Sequence, residues 1–202
     1  MKNVDYWKQL HQKYSQSGYG DKPSIFALEF VEILHQRNIT SGKILELGAG
    51  LGQDGKYFKE LGFDVVKTDL KPSESVQLLD IAQFPWSFAD DTFDIIYAHL
   101  SLHYFDDNTM QQIFQEIKRV LKKNGYLAFF VNSKSDPQYN QTKEIADGLM
   151  IINGQQKRFF DLALVRQFTG NFSEIICDTN GETYKDSAIG VHNLIRFIGQ
   201  NN

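Results

Sequence analysis

The spacing of apolar and polar residues divides the chain into short strand-like runs and longer helix-like stretches. Apolar runs predict strands at residues 44–47, 63–69, 76–80, 93–99 and 126–132. Apolar residues at helical spacing predict helices at 5–15, 24–37, 53–61, 109–123 and 161–168. Two further strands, 172–179 and 191–199, are predicted on either side of a turn at Asn180 and Gly181. Strands that alternate with helices require a parallel sheet with helices on both faces.

The most informative segment joins the first predicted strand to the helix that follows it. After the apolar run that ends at Leu47, glycines occupy every second position, at Gly48, Gly50 and Gly52. Glycine adopts positive φ freely and has no Cβ, so this turn brings a ligand against bare backbone. Such geometry is typical of sites for nucleotide-like ligands.

The glycines fit two different ligands. Residues 50–55 form a literal G-x-G-x-x-G, which is typical of NAD or FAD sites. In the other register Glu46 precedes the first glycine, and a carboxylate beside a pyrophosphate is unfavourable because like charges repel. S-adenosylmethionine has no phosphate and carries a sulfonium and an ammonium, so Glu46 favours this cofactor. The alternative is that Glu46 only caps local backbone amides.

Acidic residues end the next two predicted strands. Asp69 lies at about the distance from the glycines at which an acid binds the ribose hydroxyls of a nucleotide. Two hydroxyls presented to one carboxylate make a charge-assisted, bidentate contact. Asp80 is placed to accept a hydrogen bond from the adenine amino group, with Ile81 packing on the ring. Two acids in this order are a second indication of an adenosine site.

These segments together resemble the class I S-adenosylmethionine-dependent methyltransferases. The matching pieces lie within residues 40–133 and are ILELGAGLGQD, the strand that ends at Asp69, LLDIAQFPWSFADDTFDIIYAHLSLHYF and the strand from Gly125 to Asn132. The segments 7–24 and 157–161 are similar to a small-molecule branch that includes tellurite-resistance-type enzymes.

The resemblance implies a single α/β domain with a doubly wound, mostly parallel, seven-stranded Rossmann-like sheet whose last strand is antiparallel. Residues 1–39 are then an N-terminal helical lid or cap, 40–133 the cofactor-binding core, and 134–202 an insert and closing strands. It also implies an enzyme that transfers a methyl group from S-adenosylmethionine to a small-molecule acceptor by in-line displacement. The expected cofactor-binding residues are Trp7, Glu46, Gly48, Ala49, Gly50, Gly52, Asp54, Asp69, Leu70, Asp80, Ile81, Ala98, His99 and His103.

Candidate catalytic residues follow the fourth predicted strand. His103 and Tyr104 are expected at the carboxyl edge of the sheet, where ligands bind in open α/β folds. Either His103 orients an acceptor or takes its proton, or it is a structural histidine that lines the cofactor pocket. His99 and His103 have the i,i+4 spacing of a helical metal pair, but the flanking sequence predicts strand and loop. We therefore expect no metal at these histidines. In a methyltransferase, Ala98 and His99 are expected to lie beneath the cofactor sulfur.

Aromatic clusters occur near both ends of the chain. Tyr6, Trp7, His11 and Tyr14 lie near one face of the first predicted helix. They form either a lid whose rings contact the sulfonium by cation–π attraction or a stripe that packs on the core. Near the other end, Phe159 and Phe160 are expected in the core or a pocket wall. Arg158 is expected to be exposed, with binding of an anionic acceptor as the alternative.

Charge and cysteine content restrict the partners. A net charge of −4 over 202 residues argues against nucleic-acid binding. The basic cluster within 118–123 is expected to be a solvated helix end. Residues 98–101 contain no proline, unlike the motif of related enzymes that methylate base amino groups. The single cysteine, Cys177, indicates a buried thiol in a cytoplasmic protein, and no signal sequence or membrane span is predicted.

Two other functions remain open at this point. An NAD-dependent oxidoreductase would use the overlapping glycine register, although no Tyr-x-x-x-Lys hydride-site pattern accompanies it. A non-catalytic protein that binds S-adenosylmethionine would keep the cofactor residues without acceptor chemistry. The sequence does not determine the acceptor atom, the use of a general base, or the oligomeric state.

Overall fold

The computed structural model describes residues 22–139, 143–152, 154–183 and 192–202, together with Gln12. Apart from Gln12, the predicted first helix lies outside these residues, and so does Trp7. The helices are α1 (Ile25–Gln36), α2 (Gln53–Glu60), α3 (Asp107–Val120) and α4 (Leu162–Thr169). The strands are β1 (Lys43–Leu47), β2 (Asp64–Asp69), β3 (Gln77–Leu78), β4 (Phe93–His99), β5 (Leu121–Val131), β6 (Glu144–Ala146), β7 (Leu149–Ile152), β8 (Gln155–Arg158), β9 (Phe172–Gly181) and β10 (Leu194–Asn201).

A seven-stranded sheet forms the centre of the fold, in the order β3-β2-β1-β4-β5-β10-β9. Strands β1 to β5 pair in parallel, whereas β10 pairs antiparallel with both β5 and β9. The sequence-based expectation of a mostly parallel, seven-stranded sheet with an antiparallel last strand is therefore confirmed.

Each face of this sheet is covered by its own hydrophobic cluster. On one face, α1 and the α2 residue Phe58 pack against Ile44 and Ile95. On the other face, α3 and α4 pack against Leu45 and Ile96. Neighbouring residues of one strand serve opposite faces because side chains alternate along a strand. Burial on both faces explains why these strands are almost continuously apolar.

Three helices begin with a side chain that caps their free amides. Ser24 accepts from the Ala27 amide, Asp106 from the Thr109 amide and Asp161 from the Leu164 amide. Such N-caps contribute about 1 kcal/mol each and fix where a helix starts.

Within the described ranges, no helix is long and apolar enough to cross a membrane.

The predicted boundary between helix 109–123 and strand 126–132 is wrong. Helix α3 starts earlier and ends at Val120, and Leu121 already belongs to β5. Lys122 therefore lies in a strand, where its amine pairs with the Asp94 carboxylate at 2.9 Å, and it is not part of a helix end. The polar run that follows interrupts the pairing of β4 with β5, because the register shifts between Phe93 and Ile95. A polar, Gly-containing bulge in a strand resembles a loop in sequence.

Two features near the chain's end also differ from the prediction. Asn180 and Gly181 form no turn but end β9, where Gly181 pairs with Leu194. A Cβ at Gly181 would lie 2.2 Å from the Phe130 ring. This glycine therefore allows close packing rather than a chain reversal. The insert contains a second, three-stranded antiparallel sheet in the order β6-β7-β8, for which no strands were predicted.

Candidate active site

The strand order places a ligand crevice between β1 and β4. The chain proceeds outward from β1 to β3 and then returns to the other side of β1 with β4. In open α/β sheets, ligands bind at the carboxyl ends of the strands where the order reverses in this way. The glycine-rich turn follows β1, Asp69 ends β2, Asp80 follows β3, and His99 ends β4. The topology thus brings the sequence-predicted residues to one edge.

The turn after β1 requires its glycines. Gly48, Gly50 and Gly52 have φ angles of 70°, 58° and 75°, in the left-handed region that favours glycine. A Cβ at Gly48 would lie 2.4 Å from the Cβ of Ser101. Ser101 in turn donates to the Leu47 carbonyl at 2.6 Å, which fixes the loop after β4 against the turn. The loop after β4 therefore contacts the glycine turn directly at the base of the crevice.

Asp69 is held in place by two backbone amides. Its Oδ2 accepts from the Gly50 amide at 2.9 Å, and its Oδ1 accepts from the Lys71 amide at 2.9 Å. Each carboxylate oxygen has lone pairs beyond the one used. The orientation of the carboxylate is thus set before any ligand arrives. Leu70, which follows it, is half-buried.

Beyond Asp69, the chain continues into the segment predicted to contact adenine. The Leu79 amide donates to the Asp69 carbonyl at 3.0 Å, which extends the pairing of β2 with β3. Asp80 is half-buried, and its Oδ1 accepts from the Ala82 amide at 3.0 Å. Ile81 is buried and accepts at its carbonyl from the Trp86 indole at 3.1 Å. These bonds order the segment that borders the Asp69 side of the crevice.

Glu46 is a buried acid in the middle of the sheet. Its cross-strand neighbours are Lys67 on β2 and Tyr97 on β4. The Gly55 amide donates to its carboxyl group, yet Oε2 has no hydrogen-bond partner among the described residues. Burial raises the pKa of Glu46 well above its ordinary value, and the negative charge of Asp54 raises it further. The charge of Lys67 and the Gly55 hydrogen bond offset this only in part, and a further cation at the carboxyl would lower the pKa more.

Asp54 lies in a buried hydrogen-bond network that the sequence did not reveal. Its carboxylate accepts from the Ser24 amide at 2.6 Å, from the Ser24 hydroxyl at 2.7 Å and from the Tyr97 hydroxyl at 2.8 Å. These bonds connect the first turn of α2 to the start of α1 and to β4. Burial and the nearby Asp54 charge raise the pKa of Tyr97, so its hydroxyl remains a donor. Tyr97 escaped notice because a tyrosine in an apolar strand resembles any core aromatic residue.

The end of β4 forms the other wall of the crevice. Ala98 is fully buried, and the His99 ring stacks on Phe130 with centroids 5.1 Å apart and planes within 6°. Burial lowers the pKa of His99, which favours the neutral imidazole. Leu100 then adopts a positive φ of 54° and starts a loop. As the sequence predicted, His99 lies in a strand and His103 in the following loop, so the two histidines do not share a helix.

The candidate catalytic residues lie in this loop at different depths. His103 is only 2% exposed, whereas Tyr104 is half-buried. Their ring centroids are 4.2 Å apart, at an interplanar angle of 48°. The His103 imidazole contacts an acceptor only if ligand binding displaces the atoms that cover it. Tyr104 offers a more accessible surface.

Arg158 is fully buried, so the expectation of an exposed arginine was wrong. Its charge is compensated by an ion pair with Asp107 at 2.6 Å and by hydrogen bonds to backbone carbonyls. Phe159 and Phe160 are buried in the core, in agreement with the prediction. Cys177 is only half-buried, and burial raises its thiol pKa to about 11, so the neutral thiol predominates at neutral pH.

Comparison with known proteins gives a family match over the central part of the chain. A family model described as a methyltransferase domain matches residues 45–129, which run from β1 to β5. A search of curated protein sequences finds no significant match.

Solved structures share the fold at low sequence identity. A Methanosarcina mazei protein described as a SAM-dependent methyltransferase has a TM-score of 0.69 at 17% identity, over 84% of this chain and 96% of that one. The Burkholderia thailandensis 1,6-didemethyltoxoflavin-N1-methyltransferase, solved with 1,6-didemethyltoxoflavin and S-adenosylhomocysteine, gives 0.65 at 16% identity, over 100% and 91%. TehB from Haemophilus influenzae gives 0.62 at 17% identity, over 86% and 62%. The family model thus matches the part of the chain from β1 to β5, and the solved structures show that the chain has the fold of S-adenosylmethionine-dependent methyltransferases.

Proposed function

We propose that this protein transfers the methyl group of S-adenosylmethionine to a small-molecule acceptor at the crevice between β1 and β4. The observation that carries the proposal is the environment of Glu46. It is a buried carboxyl group with an unpartnered oxygen among the described residues, next to a glycine turn in the left-handed conformation. A pyrophosphate would be repelled by this carboxyl group once it ionises, whereas an ammonium or sulfonium would be attracted.

The residues along the edge fit the parts of the cofactor in sequence. Glu46 and the backbone of Gly48 to Gly52 hold the methionine end. Asp69 holds the ribose hydroxyls, because its orientation is fixed by amides and its oxygens retain acceptor capacity. Asp80 and Ile81 contact adenine. Of the remaining expected residues, Ala49, Leu70, Ala98 and His99 belong to the walls, and Asp54 supports the turn from beneath.

When bound, S-adenosylmethionine supplies an already activated methyl group. The protein therefore has to orient the acceptor in line with that methyl and exclude water. Ala98 and His99 form the surface beneath the sulfur. Since the pKa of His99 is lowered, its neutral ring does not repel the sulfonium. Tyr104 orients the acceptor, and His103 takes a proton when the acceptor arrives protonated.

The acceptor binds at the end of the crevice opposite to adenine. Along the edge the order is β3, β2, β1, β4 and β5, so the adenosine contacts occupy one side. The loop after β4 and the insert after β5 then occupy the other side. The 1,6-didemethyltoxoflavin methyltransferase, which has this fold, supports a small acceptor.

The charge of −4 supports the absence of nucleic-acid binding, and we assign the protein to the cytoplasm.

Calorimetric titration of the purified protein with S-adenosylmethionine, S-adenosylhomocysteine and NAD tests the cofactor. We expect both adenosyl ligands to bind and NAD not to bind. Binding of NAD alone would overturn the proposal. A screen of small thiols, phenols, amines and oxyanions with radiolabelled S-adenosylmethionine then separates an enzyme from a protein that only binds the cofactor.

A further inference from the structure

Arg158 carries a buried charge that neither the fold nor the cofactor site accounts for. Its side chain is fully buried and is the largest fully buried side chain among the described residues. Burying a guanidinium is unfavourable unless it is paired and hydrogen-bonded. The position of its partners therefore indicates what the residue holds together.

The partners of Arg158 lie in two parts of the chain, residues 103–107 and the turn of the insert. In the loop after β4, the His103 carbonyl accepts from the Arg158 amide at 2.7 Å, and the Phe105 carbonyl accepts from Nε at 3.2 Å. At the start of α3, Asp107 pairs with Nη2 at 2.6 Å. In the insert, the Asp147 carbonyl accepts from Nη1 at 2.9 Å. One side chain thus connects the loop that contains Tyr104 to the turn between β6 and β7.

The insert turn is seated closely on the chain that carries Arg158. The Gly148 carbonyl accepts from the Phe159 amide at 2.8 Å. Gly148 has a φ of 68°, and a Cβ there would lie 2.0 Å from the Phe159 carbonyl oxygen. Lys134 adds ion pairs to Asp147 at 2.6 Å and Asp161 at 2.8 Å. The small sheet is therefore fixed to the main fold by specific polar contacts.

These two segments lie next to each other at the edge of the main sheet. The loop leaves the carboxyl end of β4, and the insert leaves the carboxyl end of the adjacent strand β5. Ser133, just after β5, forms a parallel bridge with Phe160. The segments therefore form the side of the crevice that the proposed function assigns to the acceptor.

We propose that Arg158 is a positioning residue for methyl transfer, which fixes the loop of residues 100–106 and the insert sheet as one acceptor-side wall. The inference rests on the proposed function and adds a residue that touches neither cofactor nor acceptor. The backbone amide of residue 158 holds the His103 carbonyl, and the Arg158 side chain holds the Phe105 carbonyl. The side chain thereby fixes the far end of the short segment that presents Tyr104. A guanidinium suits this role because its donors point in several directions in one plane, which a lysine amine cannot reproduce.

The test compares Arg158→Met and Arg158→Lys with Arg166→Met. Arg166 is a half-exposed arginine on α4 that pairs with Glu174, so its removal controls for loss of a positive charge. The probes are S-adenosylhomocysteine affinity, amide hydrogen exchange and the ¹⁹F spectrum of 3-fluorotyrosine placed at position 104. Asp107→Asn is the fourth variant, because Asp107 is 56% exposed and its replacement leaves the core intact.

In Arg158→Met we expect amide exchange in residues 100–106 and 147–149 to rise about a hundredfold, since removal of one partner of a buried ion pair has a large energetic effect. The ¹⁹F signal should broaden or split, while the dissociation constant of S-adenosylhomocysteine changes less than about threefold, because distant sites without shared partners are nearly independent. Arg158→Lys should restore part of the exchange protection, Asp107→Asn should broaden the ¹⁹F signal to a smaller extent, and Arg166→Met should match the wild type.

Unchanged exchange and an unchanged ¹⁹F signal in folded Arg158→Met would overturn the inference. If that variant does not fold, a wild-type ¹⁹F signal in both Arg158→Lys and Asp107→Asn would overturn it instead. Equal loosening of the glycine turn after β1 would also contradict it, because the effect would then be global. Failure of the wild type to bind S-adenosylhomocysteine would overturn the proposed function, while the exchange and ¹⁹F comparisons would still decide whether Arg158 orders this wall.

Discussion

The Gly50 amide donates a hydrogen bond to Asp69 Oδ2 at 2.9 Å. This bond joins the glycine turn after β1 to the acid at the end of β2. The two features that the sequence offers as separate signs of an adenosine site are therefore one structural unit. A substitution at Asp69 changes both the proposed ribose contact and the conformation of the turn.

Replacement of Asp69 separates these two effects. Asp69→Asn keeps one acceptor oxygen for an amide but loses the charge, whereas Asp69→Ala loses both. We expect S-adenosylhomocysteine affinity to fall about 10- to 100-fold in Asp69→Asn, from the loss of about 1.5–3 kcal/mol in charged hydrogen bonds, and further in Asp69→Ala. Calorimetry measures both. Asp64→Asn, at the opposite and exposed end of β2, should bind as the wild type does; equal weakening there would argue against a ribose contact.

Gly48 and Gly154 allow a steric effect to be separated from backbone strain. Both have positive φ, of 70° and 75°, but a Cβ meets Ser101 only at Gly48, and at Gly154 it meets none of the described residues within 4 Å. Gly154→Ala should cost about 1–2 kcal/mol from the left-handed backbone alone. Gly48→Ala should cost about 1–3 kcal/mol more, from overpacking, and should abolish cofactor binding. Urea unfolding and calorimetry check this; similar losses of stability in both variants would contradict the close packing at Gly48.

The raised pKa of Glu46 predicts that this residue weakens the fold at neutral pH. Because the folded protein holds the Glu46 proton more tightly than the unfolded chain, the contribution is favourable below the ordinary pKa of 4.5. It is lost as pH rises through the raised pKa, and each tenfold increase in proton affinity on folding corresponds to about 1.4 kcal/mol. Glu46→Gln does not titrate and should therefore gain free energy of unfolding over the wild type between pH 4.5 and 8.

The same substitution should weaken S-adenosylmethionine binding, since the amide cannot balance a cation. Urea unfolding at several pH values and calorimetry at neutral pH measure the two effects. Glu60→Gln, on the exposed face of α2, is the matched control and should alter neither. If the free energy of unfolding depends on pH in the same way in wild type and Glu46→Gln, burial of Glu46 is energetically unimportant.

Tyr97→Phe tests the buried network around Asp54. The ring stacks on Phe26 and meets Phe58 edge-on, and phenylalanine preserves that packing. The loss of one donor to a buried carboxylate should reduce the free energy of unfolding by about 1–3 kcal/mol. Tyr126→Phe, whose hydroxyl accepts a long 3.3 Å bond from Gln200, should change it by less than about 0.5 kcal/mol. Chemical denaturation of both variants provides the comparison, and equal stability would deny the network a structural role.

Prediction from the sequence succeeded where local patterns were strong. Strand β4 was predicted at its observed bounds, because a continuous apolar run buried on both faces is unambiguous. The boundary near Leu121 was missed because a polar bulge inside β5 has the composition of a helix end or loop. Asn180 and Gly181 were misread because a glycine that permits close packing is indistinguishable in sequence from one that permits a turn.

The sequence by itself determined the features of the cofactor side: glycines at alternate positions, an acid before them and acids after the next two strands. These are local features, since the backbone of the turn requires the glycines and the proposed ligand would lie immediately beside the acids. Only the tertiary structure decided the partners of Asp54 and the burial of Arg158. Their partners, among them Ser24, Tyr97, His103 and Asp147, are distant in the chain, and no local spacing records a contact that forms when separate elements pack together.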